Sequence, residues 1–181
     1  MKIKKTALAA FSSALVILAM LTSCRKEDSW YFSGNYSFKT SGMIQVRGKD
    51  IPQTLPQDFT VDIITESGQM DITTVNSGNG EMVITMNVTG GDLLVYYATV
   101  KGDDIVLTPE KRKMSFTIPW LDSEGKITER KIDTDVTVSG EGKRYDNIIL
   151  LSFRYDGTFT VDGKTVYEIY DSDINCRAKR N

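Results

Sequence analysis

Apolar and polar residues alternate one by one along short runs of this chain, from Gly34 to Tyr170. Residues 59–63 have an apolar side chain at every second position, and residues 82–89 repeat the pattern. A period of two places the apolar side chains on one face of a β-strand. Apolar residues nowhere recur with a helical period over three turns, so the sequence predicts an all-β fold with almost no helix. The other predicted strands are residues 36–46, 69–75, 93–100, 103–108, 113–118, 126–138, 147–155 and 164–170.

Residue pairs that favour tight turns separate these runs, for example Asn79-Gly80 and Asp156-Gly157. Gly, Asn and Asp tolerate the positive φ that tight hairpins require, so successive strands are expected to be antiparallel neighbours in a meander. An open meander would leave two exposed edges, and closure removes them. We therefore predict a single closed antiparallel β-barrel of about 8–10 strands, with a two-sheet β-sandwich as the alternative.

Three segments depart from the simple pattern. Residues 93–100 and 148–151 are apolar at successive positions, which predicts strands that are covered on both faces. The loop formed by residues 48–57 contains two prolines. We expect this loop to cover a mouth of the barrel.

The amino-terminal segment has the composition of a secretory signal peptide. Lys2, Lys4 and Lys5 form a positive region, and residues 7–21 are almost wholly apolar. An apolar run of about 15 residues is shorter than the ~20 that a permanent membrane-spanning helix needs. We therefore expect residues 1–23 to be removed.

Residues 21–24, Leu-Thr-Ser-Cys, resemble the bacterial lipobox. The resemblance implies that the Cys24 sulfur takes a diacylglycerol and that its amine is acylated after cleavage. Each buried CH₂ contributes about 0.8 kcal/mol, so several acyl chains would make the lipid bilayer a partner through Cys24. Residues 24–33 are then a flexible tether and residues 34–181 the β-barrel domain. The alternative is a chance cysteine beside an ordinary signal peptide.

Lys26, Glu27 and Asp28 follow this cysteine and resemble the surface-export signal of Bacteroidetes lipoproteins. That signal is a Lys followed by two acidic residues. The resemblance implies an outer membrane lipoprotein that is exposed at the cell surface. The alternatives are a solvated charged linker that carries no signal and a protein on the periplasmic face.

Motifs at the strand ends resemble those of the calycin-like β-barrel lipoproteins of Bacteroidetes. They occur at residues 31–37, before the first long strand, at 138–142, and at 145–147, before an apolar strand. In the larger lipocalin group eight strands close around an apolar ligand and the first begins with Gly-x-Trp, where residues 34–36 here are Gly-Asn-Tyr. The resemblance implies a lipocalin-like barrel and supports the fold more than the function, because it contains no catalytic residue.

The composition excludes several chemistries. The chain contains no histidine, which excludes Ser-His-Asp and Cys-His catalysis and histidine-based zinc or haem sites. Its formal net charge is −2 and becomes more negative when the lysines of the leader are lost, so no nucleic acid partner is expected. Acylation of Cys24 leaves Cys176 as the only thiol, which we interpret as a small packed residue beside the last strand rather than a nucleophile.

A few weaker patterns have a functional and a structural interpretation. Residues 171–175 begin like a calcium loop, but Cys176 stands where the sixth position needs Gly, so a solvated tail is the preferred interpretation. Paired carboxylates for glycoside hydrolysis are conceivable among Asp103, Asp104, Glu124 and Glu129. Methionines that pack a core, and less readily ligate haem, are Met43, Met70, Met82, Met86 and Met114. Aromatic residues for a sugar platform or for packing are Trp30, Tyr31, Phe32, Tyr96, Tyr97 and Trp120.

The sequence leads to three functional hypotheses, none of which involves a cofactor or a metal. The first is a non-enzymatic, membrane-anchored β-barrel that binds a small apolar or amphipathic ligand between methionine-rich strand faces. The alternative is a surface interaction module that binds a glycan or a host protein through the loops at residues 48–57 and 120–130. An enzyme would require two carboxylates that face each other across a pocket.

Overall fold

The computed structural model describes residues 28–49, 51–161, 163 and 165–181, and these form an almost entirely β structure. The predicted signal peptide, Cys24, Lys26 and Glu27 lie outside the described residues. A 3-10 turn at Ser77–Asn79 separates two strands. The elements are α1 (Asp28–Phe32), β1 (Gly34–Gly48), β2 (Asp58–Ile64), β3 (Ser67–Asn76), β4 (Glu81–Val88), β5 (Leu93–Lys101), β6 (Asp104–Leu121), β7 (Ile127–Tyr145), β8 (Ile148–Asp156), β9 (Thr158–Val161), β10 (Thr165–Asp171) and β11 (Ile174–Arg180).

Eight of these strands close into an antiparallel barrel. β3 to β8 follow one another as a meander, β8 pairs with β11, and β1 lies between β11 and β3. Every barrel strand therefore has a hydrogen-bonded neighbour on both sides. The predicted all-β class, the antiparallel meander and the closed barrel are confirmed.

Strands β1, β6 and β7 continue beyond the barrel into a second region, which we call the extension. Residues 42–48 of β1 pair with β2 on one side and with β10 on the other, and β9 pairs with β10. Opposite this sheet lies the continued hairpin, residues 110–121 of β6 and 127–138 of β7. The rings of Phe116 and Phe159 lie 6.1 Å apart across the gap. The extension is thus two small sheets packed face to face above one end of the barrel.

The strands bend at the junction between the barrel and the extension. A Cβ atom at Gly42 would lie 2.8 Å from the Cα atom of Ile174, so no larger residue fits where β1 leaves the barrel. On β6, residues 107–110 form a β-bulge that includes Pro109, which has no backbone N–H to leave unpaired. A Cβ atom at Gly140 of β7 would collide with the backbone of β8.

A continuous core runs through the barrel and the extension. The interior of the barrel is filled by its own side chains, in keeping with the close packing of protein cores. None of those named next exposes more than 3% of its surface. They are Tyr36, Phe38, Met70, Ile72, Met82, Ile84, Met86, Tyr96, Ala98, Ile105, Leu107, Ile149, Leu151, Phe153, Cys176 and Ala178.

The carboxyl end forms the strand that closes the barrel, and the expectation of a solvated tail from residue 171 onward was wrong. In β11, Ile174, Cys176 and Ala178 are buried, whereas the residues between them are exposed. β11 pairs with both β1 and β8. Two of its three inward side chains are small. Small residues contribute little to the apolar alternation from which a strand is predicted, so this strand was not predicted.

The packed part of the chain begins earlier than Gly34. Residues 28–32 belong to the segment expected to be a flexible tether, but they form α1, in which Ser29 and Phe32 are fully buried. The Tyr36 hydroxyl donates a hydrogen bond of 2.7 Å to the Phe32 carbonyl oxygen. The physical reason is that Phe32 closes the end of the barrel opposite the extension, so the domain starts at Asp28.

Two further expectations were also wrong. Leu93, Tyr97 and Leu150 expose 62, 58 and 43% of their surfaces, so the strands with successive apolar residues are covered on one face only. The described residues 51–57 of the proline-containing loop lie at the far end of the extension, where Leu55 is buried, and not at the barrel mouth. The extension itself covers that mouth.

Candidate functional site

A groove lies on the outer surface where the barrel meets the extension. Its volume is about 650 Å³, within the range of sites that bind small molecules. Four chain segments form its walls, and the bulge of β6 lies at one of them. The segments lie within residues 106–109, 139–141, 152–156 and 170–173.

Hydrogen bonds fix the walls of the groove. The Ser172 hydroxyl accepts a hydrogen bond of 2.8 Å from the Tyr155 backbone N–H and donates one of 2.9 Å to the Tyr155 carbonyl oxygen. This pair of bonds joins the turn between β10 and β11 to the end of β8. The Tyr170 hydroxyl donates to the Gln45 Oε1 atom at 2.9 Å, and the Arg47 guanidinium lies 4.3 Å from the Tyr170 ring. Tyr170 is therefore held in position before any ligand arrives.

Four of the five charged residues in the lining are acidic. The acidic lining residues are Glu141, Asp156, Asp171 and Asp173. Arg154 also lines the groove, and its Nε atom lies 3.2 Å from Asp156, an exposed ion pair that neutralises little of the charge. The Ser152 hydroxyl donates to Asp173 at 3.4 Å. The groove thus presents carboxylate and hydroxyl groups beside an aromatic ring.

A buried polar cluster extends inward from Tyr155 into the barrel. The hydroxyls of Tyr155 and Tyr96 are hydrogen-bonded to each other. The Arg112 guanidinium lies 4.0 Å from the Tyr96 ring and forms an ion pair with Glu110. Burial raises the pKa of Tyr96 and of Tyr155, so both phenols stay protonated at neutral pH. The two phenols therefore support the groove wall as neutral hydrogen-bonding groups beside the Arg112–Glu110 ion pair.

The carboxylates considered for hydrolysis do not come together. Asp103 and Asp104 lie at the α1 end of the barrel, where each forms an ion pair with a basic residue of β7. Glu124 and Glu129 are exposed near the turn between β6 and β7. Most of the length of β6 lies between the two pairs, so they do not face each other across one pocket.

The aromatic residues considered for a sugar platform are dispersed as well. Phe32 and Tyr96 are buried, Trp30 and Tyr31 lie exposed at the α1 end, and Trp120 lies in the extension. The ring at the groove belongs to a tyrosine that the sequence analysis did not single out. The signals that mark this region are a proline at residue 109 and a glycine at residue 140, each just beyond the end of a predicted strand, because such residues mark bulges and close approaches.

The sulfur-containing residues mostly pack the core. Met70, Met82 and Met86 are buried, whereas Met43 is exposed. Cys176 is buried inside the barrel, and burial raises the pKa of its thiol to about 12. A thiol with such a pKa carries almost no thiolate at neutral pH, which is the form that attacks electrophiles.

Residues 171–175 do not form a calcium loop. Ser172 is bonded to β8 as described, and the Asp173 carboxylate accepts hydrogen bonds from neighbouring side chains. In the part of the chain that the structure describes, no group of three His, Cys, Asp or Glu residues is placed to hold a metal ion. Asp28, the described residue of the predicted export signal, accepts a 2.7 Å hydrogen bond from the Gly102 backbone N–H.

No protein family, no curated protein and no solved structure matches this chain. Within residues 28–49, 51–161, 163 and 165–181, no helix has the length and apolar character needed to cross a membrane. The geometry of the groove therefore carries the functional proposal.

Proposed function

We propose that this protein is a non-enzymatic binding module, anchored in a bacterial outer membrane through acylated Cys24, that binds a short glycan in the groove between barrel and extension. The observation that carries the proposal is the groove of about 650 Å³, which lies outside a barrel filled by its own side chains. The ligand is a neutral or amine-bearing sugar, because the lining is acidic.

A sugar ring fits the chemistry of this lining. Its hydroxyls donate hydrogen bonds to carboxylates such as Asp171 and Asp173, which accept but cannot donate. Its apolar face packs on an aromatic ring, a role that Tyr170 can fill. Since Tyr170 is already held by Gln45 and Arg47, little side-chain entropy is lost on binding.

A ligand inside the barrel would have to displace side chains that are packed together. Opening a space the size of a large core side chain costs about 2–5 kcal/mol when the surroundings relax only partly. A groove on the outer wall requires no such rearrangement. We therefore place the ligand at the groove rather than among Met70, Met82 and Met86.

The anchor and the cell-surface location rest on the leader, the lipobox and the Lys26-Glu27-Asp28 sequence. Mass spectrometry of the chain from its native membrane should find acyl groups on Cys24, and a Cys24→Ser chain should lack them. Proteolysis of intact cells should degrade the domain if it faces outward. Resistance until the outer membrane is opened would place it on the periplasmic face.

The ligand proposal is tested by presenting the detergent-purified full chain to an array of neutral, amine-bearing and acidic glycans. Tyr170→Ala should weaken binding by about tenfold, equivalent to ~1.4 kcal/mol. The matched control is Tyr145→Ala, since Tyr145 is exposed at the α1 end of the barrel, where β7 ends, and does not line the groove. Equal losses of glycan affinity in both variants, a preference for acidic sugars, or no glycan binding at all would contradict the proposal.

A further inference from the structure

The short helix α1 has two different faces. Ser29 and Phe32 are buried against the end of the barrel, and their spacing of three places them on one side of the helix. Trp30 and Tyr31 lie on the other side and expose 57 and 45% of their surfaces. Two large aromatic side chains thus point away from the protein.

This helix is fixed to the barrel. The two N–H groups of the Arg180 Nη2 atom are shared among three acceptors, the carbonyl oxygens of Tyr31 and Ser33 at 2.8 Å and the Tyr36 hydroxyl at 2.9 Å. The Arg144 guanidinium lies 5.3 Å from the Tyr31 ring. The aromatic residues are therefore displayed on a positioned surface.

The same end of the barrel carries another exposed aromatic residue and compensated charges. Tyr145 exposes 53% of its surface where β7 ends. Four charges here form ion pairs, Arg144 with Asp103 at 2.7 Å and Lys143 with Asp104 at 3.3 Å, and the Asp28 carboxylate accepts a hydrogen bond from the Gly102 backbone N–H. Paired charges repel neither anionic nor zwitterionic headgroups strongly.

The length of chain before α1 limits how far this end can lie from the membrane. Three residues lie between Cys24 and Asp28, so the two are four steps apart along the chain, and a fully extended chain spans at most about 3.6 Å per step, or roughly 14 Å. The headgroup layer of each leaflet is itself about 5–8 Å thick. The far end of the extension, where Trp120 lies, is separated from α1 by roughly the 55 Å length of β6.

We infer that the α1 end of the barrel is a membrane-docking surface, with Trp30 and Tyr31 in the headgroup layer. Trp and Tyr favour this layer because one end of each side chain is apolar and the other polar. The inference rests on the proposed acylation of Cys24. Along β8 the groove runs from Ser152 to Asp156, so it then begins roughly 13 Å from the α1 end of this strand and stays open to the medium.

The chain provides its own control, because its two tryptophans lie at opposite ends of the molecule. Trp120→Phe leaves only Trp30, and Trp30→Phe leaves only Trp120. Each acylated full chain is reconstituted into vesicles of phosphatidylethanolamine and phosphatidylglycerol, with or without bromine atoms on the acyl chains. Bromines should quench the emission of Trp30 and shift it to the blue relative to detergent, and should leave Trp120 unaffected.

The possible results distinguish a failure of the docking-surface proposal from a failure of the acylation proposal. An acylated chain in which bromines leave Trp30 as bright as Trp120 would overturn the docking surface and leave the anchor intact. Trp30 that is shielded from aqueous acrylamide but insensitive to the bromines would lie against a protein, such as a second copy, and would also overturn it. A chain without acyl groups would overturn both proposals.

Discussion

The barrel and the extension share three strands but differ in how their edges end. Each barrel strand is paired on both sides, whereas within the described residues β2 and β9 pair on one side only. The continued hairpin of β6 and β7 likewise has open outer edges beyond the barrel. Closure satisfies the backbone of the barrel, so the extension must protect its edges in another way.

The extension does so with charged side chains. On the hairpin Lys111, Lys113, Asp133 and Asp135 are exposed, and charges along an edge discourage pairing with another chain. Its core combines aliphatic side chains with three rings, in which Phe159 lies 6.1 Å from Phe116 of the hairpin and 5.5 Å from Tyr167 of the neighbouring strand. Packing of these side chains and a 3.4 Å hydrogen bond from the Tyr167 hydroxyl to the Pro119 carbonyl oxygen thus hold the two sheets together.

The largest loss of stability is expected when β11 and the last residue, positions 174–181, are removed, because this opens the barrel. β1 and β8 would each lose a partner strand, and Ile174, Cys176 and Ala178 would leave the core. We expect no cooperative unfolding transition in urea followed by circular dichroism. A transition at an unchanged midpoint would show that closure does not stabilise the barrel.

Paired core truncations should separate the two regions. Ile84→Ala in the barrel should lower the free energy of unfolding by about 2–5 kcal/mol, and Phe116→Ala in the extension should lower it by about 3–5 kcal/mol. Alkylation of Cys176 reports on the barrel, because its buried thiol, with a pKa raised to about 12, reacts only when the barrel opens.

Ile84→Ala should speed this alkylation strongly, whereas Phe116→Ala should increase hydrogen exchange mainly in the extension. Equal acceleration of Cys176 labelling by the two variants would mean that the barrel and the extension unfold as one unit.

Arg180→Ala, at the α1 end of the barrel, should lower the free energy of unfolding by a smaller amount. The Arg180 side chain donates hydrogen bonds to three acceptors, and these would lose a partner, at a cost of about 1–3 kcal/mol. Arg177→Ala on the same strand is the matched control, since Arg177 is exposed and its replacement should change the unfolding free energy by less than ~0.5 kcal/mol. Similar urea midpoints for the two variants would contradict the role of Arg180.

The smallest effect concerns Glu66, which lies at the junction between β2 and β3. Burial, assisted by Asp62 and Asp92, raises the pKa of Glu66 above its ordinary value. The folded state then holds its proton more tightly than the unfolded state, so stability is lost as the pH rises from the ordinary value of 4.5 through the raised one.

Glu66→Gln should remove this part of the pH dependence, and Glu124→Gln, an exposed control, should not. Urea unfolding from pH 4 to pH 7 measures the difference. A wild-type chain that gains stability relative to Glu66→Gln over this range would reverse the expected sign.

Local patterns predicted the fold class because alternation and turn residues act over a few positions. The closing strand was missed because Cys176 and Ala178 are small, although residues 174–179 do alternate. α1 was missed because a five-residue helix has no periodicity to detect, and Phe32 finds its contacts only in the closed barrel.

The groove could not be predicted because its lining comes from four separate segments of the chain. Pairing register brings Gly140 opposite Phe153 and Leu107 opposite Gly140, and the sequence does not specify that register. Only the irregularities themselves, Pro109 and Gly140, were visible beforehand. These two residues indicate that the strands bend, but they do not indicate which side chains line the groove beside the bend.

Native mass spectrometry of the chain extracted from its own membrane tests the central claim, an acylated anchor below a filled barrel. We expect the mass of residues 24–181 plus two or three acyl chains, with no small apolar molecule released when the protein is denatured. An unmodified Cys24, a retained leader, or an apolar molecule released on unfolding would contradict this account.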